Sequence, residues 1–493
     1  MSRTAVFGRR RRRSRLAVIV ALFALAVVGG GAVALVDSEP PATPVTEPTP
    51  APTAAAEDTA DAPVEEPTPR PAATPTPEPT EAPTANPDPD PLPRELVEDV
   101  TDVLAGDDVT DIANLSALVV DDLGRVVADH QGDVPVMPAS TNKLVTAAAA
   151  LHLLGPEYRY VTRAVATGPI DDGVLDGDLV VVGQGDPTLA SPTYVEEVYP
   201  ARPHTRISAL ARAVVDAGIE EITGSVLGDP STFADEPEAD GWRDRYFDTL
   251  DTTRASGLTV DAGRRLLERD DMVLGMVADD PAEVTAEVLD DLLADADVEI
   301  GSEPGRGTAP PTAEEAARVQ SPPMIDLLAH VMIRSDNHMA DAVFRTLGAR
   351  TGDATWTGGD VAARAALSDL DVDWSGAVMA DGSGLSRDDR LSAEMLISVD
   401  RAFSERHGAT WRDLMAVMGE TGTLSRRLRG TPAEGRVTGK TGSLRDARSL
   451  VARADPLDGG PYYFAVLGAQ LQGEEIAIVR DLINDLSVRL AEG

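Results

Sequence analysis

Cysteine is absent from the 493 residues. That excludes disulfides, thiolate catalysis and cysteine-held metal sites together. Histidine is scarce: His130, His152, His204, His330, His338 and His407 show no ligand spacing such as His-Glu-x-x-His, so they read as surface or internally satisfied residues. No metal and no cofactor is expected. Acid far outweighs base, with a formal net charge of −40, and such a body repels nucleic acid. Lysine is rarer still. Of the 43 lysines and arginines, only Lys143 and Lys440 are lysines. Arginine keeps its proton at any accessible pH, so an amine able to act as a base has two candidate positions in the whole chain.

What is present falls into segments. Arg9 to Arg13 and Arg15 precede 21 uncharged, mostly apolar residues, Leu16 to Val36. Positive charge stays in the cytoplasm, so residues 1–37 read as a membrane anchor with the C-terminus outside, or as a signal peptide cut near Ala32-Val33-Ala34. Residues 38–92 are rich in Pro, Thr, Ala and Glu, and 18 of the 37 prolines fall between Pro40 and Pro93. Such a segment cannot bury a core and reads as a disordered, extended tether with a reach on the order of 150 Å.

Folded sequence is expected from residue 93. Arg94 to Leu104 has helical periodicity, and Ser116 to Asp121 with Val126 to Asp129 reads as a hairpin. A helix is expected from Ser140 to Leu154, stopping at Gly155-Pro156. Residues 161–318 then read as an inserted, strand-rich domain between two halves, 93–160 and 319–493. Within the insert, Ile207 to Ala217 and Pro281 to Asp295 read as helices. Further on, helices are expected at Met324 to Ile333, Met339 to Leu347, near Ala393 to Phe403 and at Glu474 to Leu490. Strands are expected at Val437 to Leu444 and Tyr462 to Gln470.

Three short motifs carry the chemistry. Ser140-Thr141-Asn142-Lys143 puts a hydroxyl one turn from an amine, the arrangement of a serine nucleophile beside its base, provided the surroundings depress the lysine pKa. Ser335-Asp336-Asn337 and Lys440-Thr441-Gly442-Ser443 follow in order. Each alone is weak evidence, and Asn337 taken alone also reads as a helix cap. The three together form the signature set of β-lactamases and penicillin-binding proteins.

With Gly185-Asp186-Pro187-Thr188-Leu189 and the loop Asp381 to Arg387, and with 195 residues separating Ser140 from Ser335, the chain resembles the class C low-molecular-mass penicillin-binding proteins, the D-alanyl-D-alanine carboxypeptidases and endopeptidases. The resemblance covers roughly residues 93 to 490. It implies an α+β fold of the DD-peptidase and β-lactamase type, an antiparallel sheet flanked by helices. It implies an extracytoplasmic enzyme that trims peptidoglycan stem peptides through an acyl-serine and is acylated by β-lactam antibiotics. Ser140, Lys143, Ser335, Asn337 and Lys440 would be catalytic. The backbone N–H groups of Ser140 and Ser443 would form the oxyanion hole, Lys440 and Thr441 would meet the substrate carboxylate, and Gly442 would also bind substrate. Asp229, Arg387 and Arg445 fall where the family contacts the wall-peptide side chain. The alternatives are a catalytically silent wall-binding protein, a transpeptidase, or a β-lactamase, though no Glu-x-x-Leu-Asn string is present to drive fast deacylation.

Overall fold

A computed structural model describes residues 92–269 and 272–493. The expected N-terminal span and the Pro-rich tether lie outside the described residues. Among the described residues no helix is long and apolar enough to cross a membrane.

The first layer is a six-stranded antiparallel sheet. Its order is Ala416–Val417, Val437–Leu444, Ala447–Ala454, Tyr462–Gly468, Leu115–Asp121, Val126–His130. Alternating side chains separate two cores, as a strand buried on both faces requires. Val451, Ala465 and Leu467 face one cluster, while Leu450, Ala452, Phe464 and Val466 face the other. On the second face lie the amphipathic helix Arg94–Leu104, buried through Leu96, Val100 and Leu104, and the C-terminal helix Glu475–Glu492.

On the first face lies a helical group built around Lys143–Leu153, in which every residue from Lys143 to Leu151 is buried. Its run Ala147 to Ala150 is small enough for close packing by Met324–Arg334, Asn337–Thr351, Trp356–Ala366 and Ala393–His407. The expected helix bearing Ser140 begins differently. Ala139–Asn142 is a 3-10 turn, and the α-helix starts only at Lys143. Thr141 Oγ1 donates to Pro138 O at 2.7 Å, and Ala139 takes a φ of 51°, which tightens the turn.

Residues between Val161 and Gln320 build their own sheet, ordered Gly305–Arg306, Val226–Asp229, Leu179–Val182, Val161–Ala166, Glu314–Gln320. The outgoing strand Val161–Ala166 pairs antiparallel with the returning strand Glu314–Gln320, Val161 opposite Gln320, so the segment closes at its own neck. Two helices, Ile207–Asp216 and Pro281–Asp295, cover it and share its apolar cluster. The second is started by Asp280, whose carboxylate accepts from the N–H groups of Ala282 and Glu283. The hairpin Arg264–Arg269 with Met272–Val277 was not expected from the sequence pattern. The described residues form one compact unit.

Candidate active site

Three elements converge on one cleft: the Ala139–Asn142 turn, the junction between Met324–Arg334 and Asn337–Thr351, and the strand Val437–Leu444. In a 3-10 turn side chains three apart eclipse one another. Lys143 follows this turn directly, three residues after Ser140, and its Nζ lies 3.0 Å from Ser140 Oγ. The amine also donates to Asn337 Oδ1 at 2.7 Å and to the Ser383 carbonyl at 2.5 Å. Lys143 is completely buried. Burial lowers its pKa to about 8, against the opposing pull of Asp341, Asp381, Asp336 and Asp389.

Ser335 ends its helix in the left-handed region, φ 61°, so its hydroxyl turns back into the cleft. Lys440 Nζ donates to it at 3.0 Å and to the Thr441 carbonyl at 2.8 Å. Lys440 is likewise fully buried, and burial, followed by the charge on Lys143, pushes its pKa well below the ordinary value. Asn337 is not the helix cap. That place belongs to Asp336, whose carboxylate accepts from Met339 N at 2.9 Å, leaving the Asn337 side chain free to face Lys143.

The strand Val437–Leu444 has a partly open edge. Its outer partner Ala416–Val417 pairs only with Gly439 and Thr438, and Met418 N donates to the Val437 carbonyl. By alternation, Thr441 and Ser443 point their N–H and C=O groups to that same edge, beyond the end of the partner strand. Gly442 brings the strand against the nucleophile's turn: a Cβ there would stand 3.0 Å from Ser140 N and 2.1 Å from Ser449 Oγ. The Ser140 and Ser443 backbone N–H groups thereby border one cleft with the Ser140 hydroxyl.

On one side of Ser140 the cleft has a volume of about 310 Å³, lined by Thr441, Gly442, Thr423 and Arg427 among others. Thr441 Oγ1 donates to Thr423 Oγ1 at 2.7 Å. On the other side about 320 Å³ is lined by Asn337, Ser443, Leu444 and Arg445, with Arg245, Tyr246 and Asp251 from the long segment between the halves. Asp229 and Arg387 line neither space. Asp229 is buried, and its carboxylate accepts from Ser231 N at 2.9 Å and Ala309 N at 2.8 Å. Arg387 pairs with Asp446 and rests on Met137 Sδ at 3.2 Å.

Several residues at the site stand outside the Ser140, Ser335 and Lys440 motifs. Behind Lys143 stand three buried carboxylates, Asp341, Asp381 and Asp389. Asp381, within the glycine-rich loop, accepts from the N–H groups of Ser383, Gly384 and Ser386 at 3.0, 2.6 and 2.7 Å and from Trp242 Nε1 at 2.7 Å. Burial, then the Asp381 charge, raises the Asp341 and Asp389 pKa values well above the usual carboxylate range. The loop they hold supplies the Ser383 carbonyl to Lys143 and passes Gly384 under the nucleophile. A Cβ on Gly384 would lie 1.9 Å from Ala139 O, and its φ is 80°.

A serine and a buried amine of lowered pKa beside two backbone N–H donors, set between an antiparallel sheet and a helical group, define a serine hydrolase that works through an acyl-enzyme. The sequence profile of the D-Ala-D-Ala carboxypeptidase 3 (S13) family matches residues 96–278 and 267–487. The chain belongs to this family. Among curated relatives, a D-alanyl-D-alanine carboxypeptidase of Actinomadura sp. (strain R39) is 28% identical over 81% of this chain and 85% of its own length. A carboxypeptidase of Mycobacterium tuberculosis is 32% identical over 72% of this chain and 76% of its own. Among solved structures, penicillin binding protein 4 of Haemophilus influenzae superposes with a TM-score of 0.65 at 21% identity, over 79% of this chain and 99% of that one. At that identity the likeness speaks for the fold, an α+β fold of the DD-peptidase type.

Proposed function

We propose that the protein removes the terminal D-Ala from peptidoglycan stem peptides outside the cytoplasm, and that the long segment 161–318 is a domain inserted into the peptidase. In this reading the neutral Lys143 amine takes the Ser140 proton as Oγ bonds to the carbonyl carbon of a D-Ala-D-Ala bond. The Ser140 and Ser443 N–H groups hold the developing oxyanion. As the C–N bond breaks, a proton passes to the leaving amine through Ser335, which Lys440 orients. Water then releases the acyl group, and a β-lactam, whose acyl group stays in place, blocks the cleft. Asn337 steadies Lys143. Residues 16–36 hold the enzyme at the membrane, supported by the flanking arginines and the following acids, with 38–92 as its tether.

The observation that carries the reading is the buried Lys143 amine 3.0 Å from Ser140 Oγ, with its pKa brought down towards the working range. A silent binding protein has no use for it. Lys440 adds a refinement. Burial, then the charge on Lys143, lowers its pKa, and the carboxylate of a bound peptide beside it and Thr441 would favour its charged form. The test is release of D-Ala from a peptide ending in D-Ala-D-Ala. The wild type should release it and Ser140→Ala should not. Equal release by both would overturn the assignment.

A further inference from the structure

We propose that Arg202, in the segment between the two peptidase halves, is a positioning residue for the reaction, acting by clamping the Ser335-Asp336-Asn337 turn. The proposal rests on Ser335 and Asn337 serving catalysis as set out above. It starts from a buried charge with no evident reason to be in the interior. Arg202 is 5% exposed, and its guanidinium meets no solvent that would compensate its burial. Its Nε stands 3.3 Å from Asp336 Oδ2. One terminal nitrogen donates to Tyr194 OH at 3.2 Å, and the other lies 3.4 Å from His338 Nδ1.

Asp336 is tied on all sides. One oxygen accepts from Met339 N at 2.9 Å and starts the helix; the other faces Arg202 and His330 Nε2, the latter at 3.4 Å. Burial alone would raise its pKa, but Arg202, with His330 and His338, overrides this and holds the carboxyl well below the usual range. His338 remains neutral beside the guanidinium, its pKa lowered to about 3 by burial and then by Arg202. The ion pair is therefore a fixed feature at any working pH. It sits between the two residues that reach the reaction: Ser335 on the Lys440 amine and Asn337 on the Lys143 amine.

A second contact from the same segment acts alongside it. Asn337 Nδ2 donates to the Asp251 carbonyl at 2.7 Å, so the side-chain amide is fixed at both ends and its oxygen must face Lys143. Tyr199 completes the wall, edge-on to His330 with ring centroids 5.7 Å apart. Sequence 199–202 and residue Asp251 thus bracket a turn whose Ser335 already stands in left-handed backbone. Breaking a buried pair by removing one partner leaves an uncompensated charge, so the turn should shift to rehydrate Asp336 and carry Ser335 and Asn337 with it. A displacement of that kind costs rate far more than binding.

The test is benzylpenicillin acylation of Ser140, with D-Ala release followed in parallel, for wild type, Arg202→Ala, Arg202→Lys, Asp336→Asn and the Arg202→Ala/Asp336→Asn double variant, each rate divided by the folded fraction. Arg202→Ala should acylate about tenfold or more slowly, with the loss in kcat and KM within about twofold. Arg202→Lys should restore most of the rate. Asp336→Asn keeps a side-chain acceptor for the helix start and should fold. In that background Arg202→Ala should cost less than about threefold, because no unpaired carboxylate is left behind. Rates per folded molecule equal to wild type in Arg202→Ala, or effects of the two changes that simply multiply, would overturn the proposal. A wild type that does not acylate at all would instead sink the underlying catalytic reading.

Discussion

The Lys143 amine is the most sensitive point of the account, and its protonation can be followed by rate. A lysine at its ordinary pKa of 10.5 would be neutral in about one molecule in 3,000 at pH 7; at about 8 the fraction is about one in ten. Burial therefore raises the supply of base at neutral pH about 300-fold. The acylation rate with benzylpenicillin, measured by stopped flow from pH 6 to 10, should rise about tenfold from pH 7 to 9 and level off above. A rate flat from pH 6 to 9, or one still climbing tenfold per unit at pH 10, would refute the assignment of Lys143 as a base activated by burial.

The same shift has a stability counterpart that does not depend on catalysis. Because the folded-state pKa lies below the unfolded value, the buried charge destabilises the native state in full below about pH 8. That cost is relieved as pH rises towards 10.5, where the unfolded chain gives up its proton too. Lys143→Met removes the group, so its stability advantage over wild type should shrink by about 3 kcal/mol across that window. Urea unfolding at pH 7.5 and 10 measures it, and an unchanged difference would contradict the burial argument.

Other outcomes follow from single side chains. Asp400, buried and bonded to Trp411 Nε1 at 2.7 Å, has its pKa raised to about 6 by burial, against the Trp411 hydrogen bond. Its folded pKa exceeds the unfolded one, so its contribution is favourable at low pH and lost between about pH 4 and 6; Asp400→Asn should lack that slope in unfolding free energy, and an identical slope in both proteins would argue against it. Gly384→Ala forces a Cβ into Ala139 O and a non-glycine residue into positive φ, so unfolding should cost about 2 kcal/mol or more less than in wild type, with slowed acylation in the folded fraction. Chemical denaturation reads the first and intact mass over time the second.

What the sequence made legible is mostly what side-chain chemistry writes down. Two lysines in a chain that otherwise uses arginine, each next to a serine motif, pointed to the Ser140, Ser335 and Lys440 cleft before any fold was considered. The helices Arg94–Leu104 and Pro281–Asp295 were readable because apolar spacing, and Pro281 after Asp280, mark them locally. The strand Ala447–Ala454 was missed although it lies within the sheet. Arg448 and Arg453 interrupt its apolar pattern, and the Arg453 guanidinium lies over the Tyr463 ring at 5.8 Å. The helix Trp356–Ala366 was hidden by Gly358-Gly359, which look like a break; a Cβ on Gly359 would stand 2.6 Å from Phe344, so the pair is there for close helix packing.

The hidden part of the site is long-range. Asp251 contributes a backbone carbonyl, which no residue type announces, and Arg202 reaches Asp336 across 134 positions of sequence. The carboxylates behind Lys143 matter through burial, and burial of an acid is written in the fold, not in its neighbours along the chain. Asp229 and Arg387 show the converse: both are charged residues in family-like surroundings, yet the Asp229 carboxylate is spent on the N–H groups of Ser231 and the distant Ala309 and the Arg387 guanidinium on Asp446.

The proposed function stands or falls on an acyl-serine at residue 140. Intact mass of the full chain after incubation with benzylpenicillin, beside Ser140→Ala, tests it most directly. One lasting penicilloyl adduct is expected on the wild type and none on the variant. A folded wild type that stays unmodified, or an adduct that persists in Ser140→Ala, would contradict it.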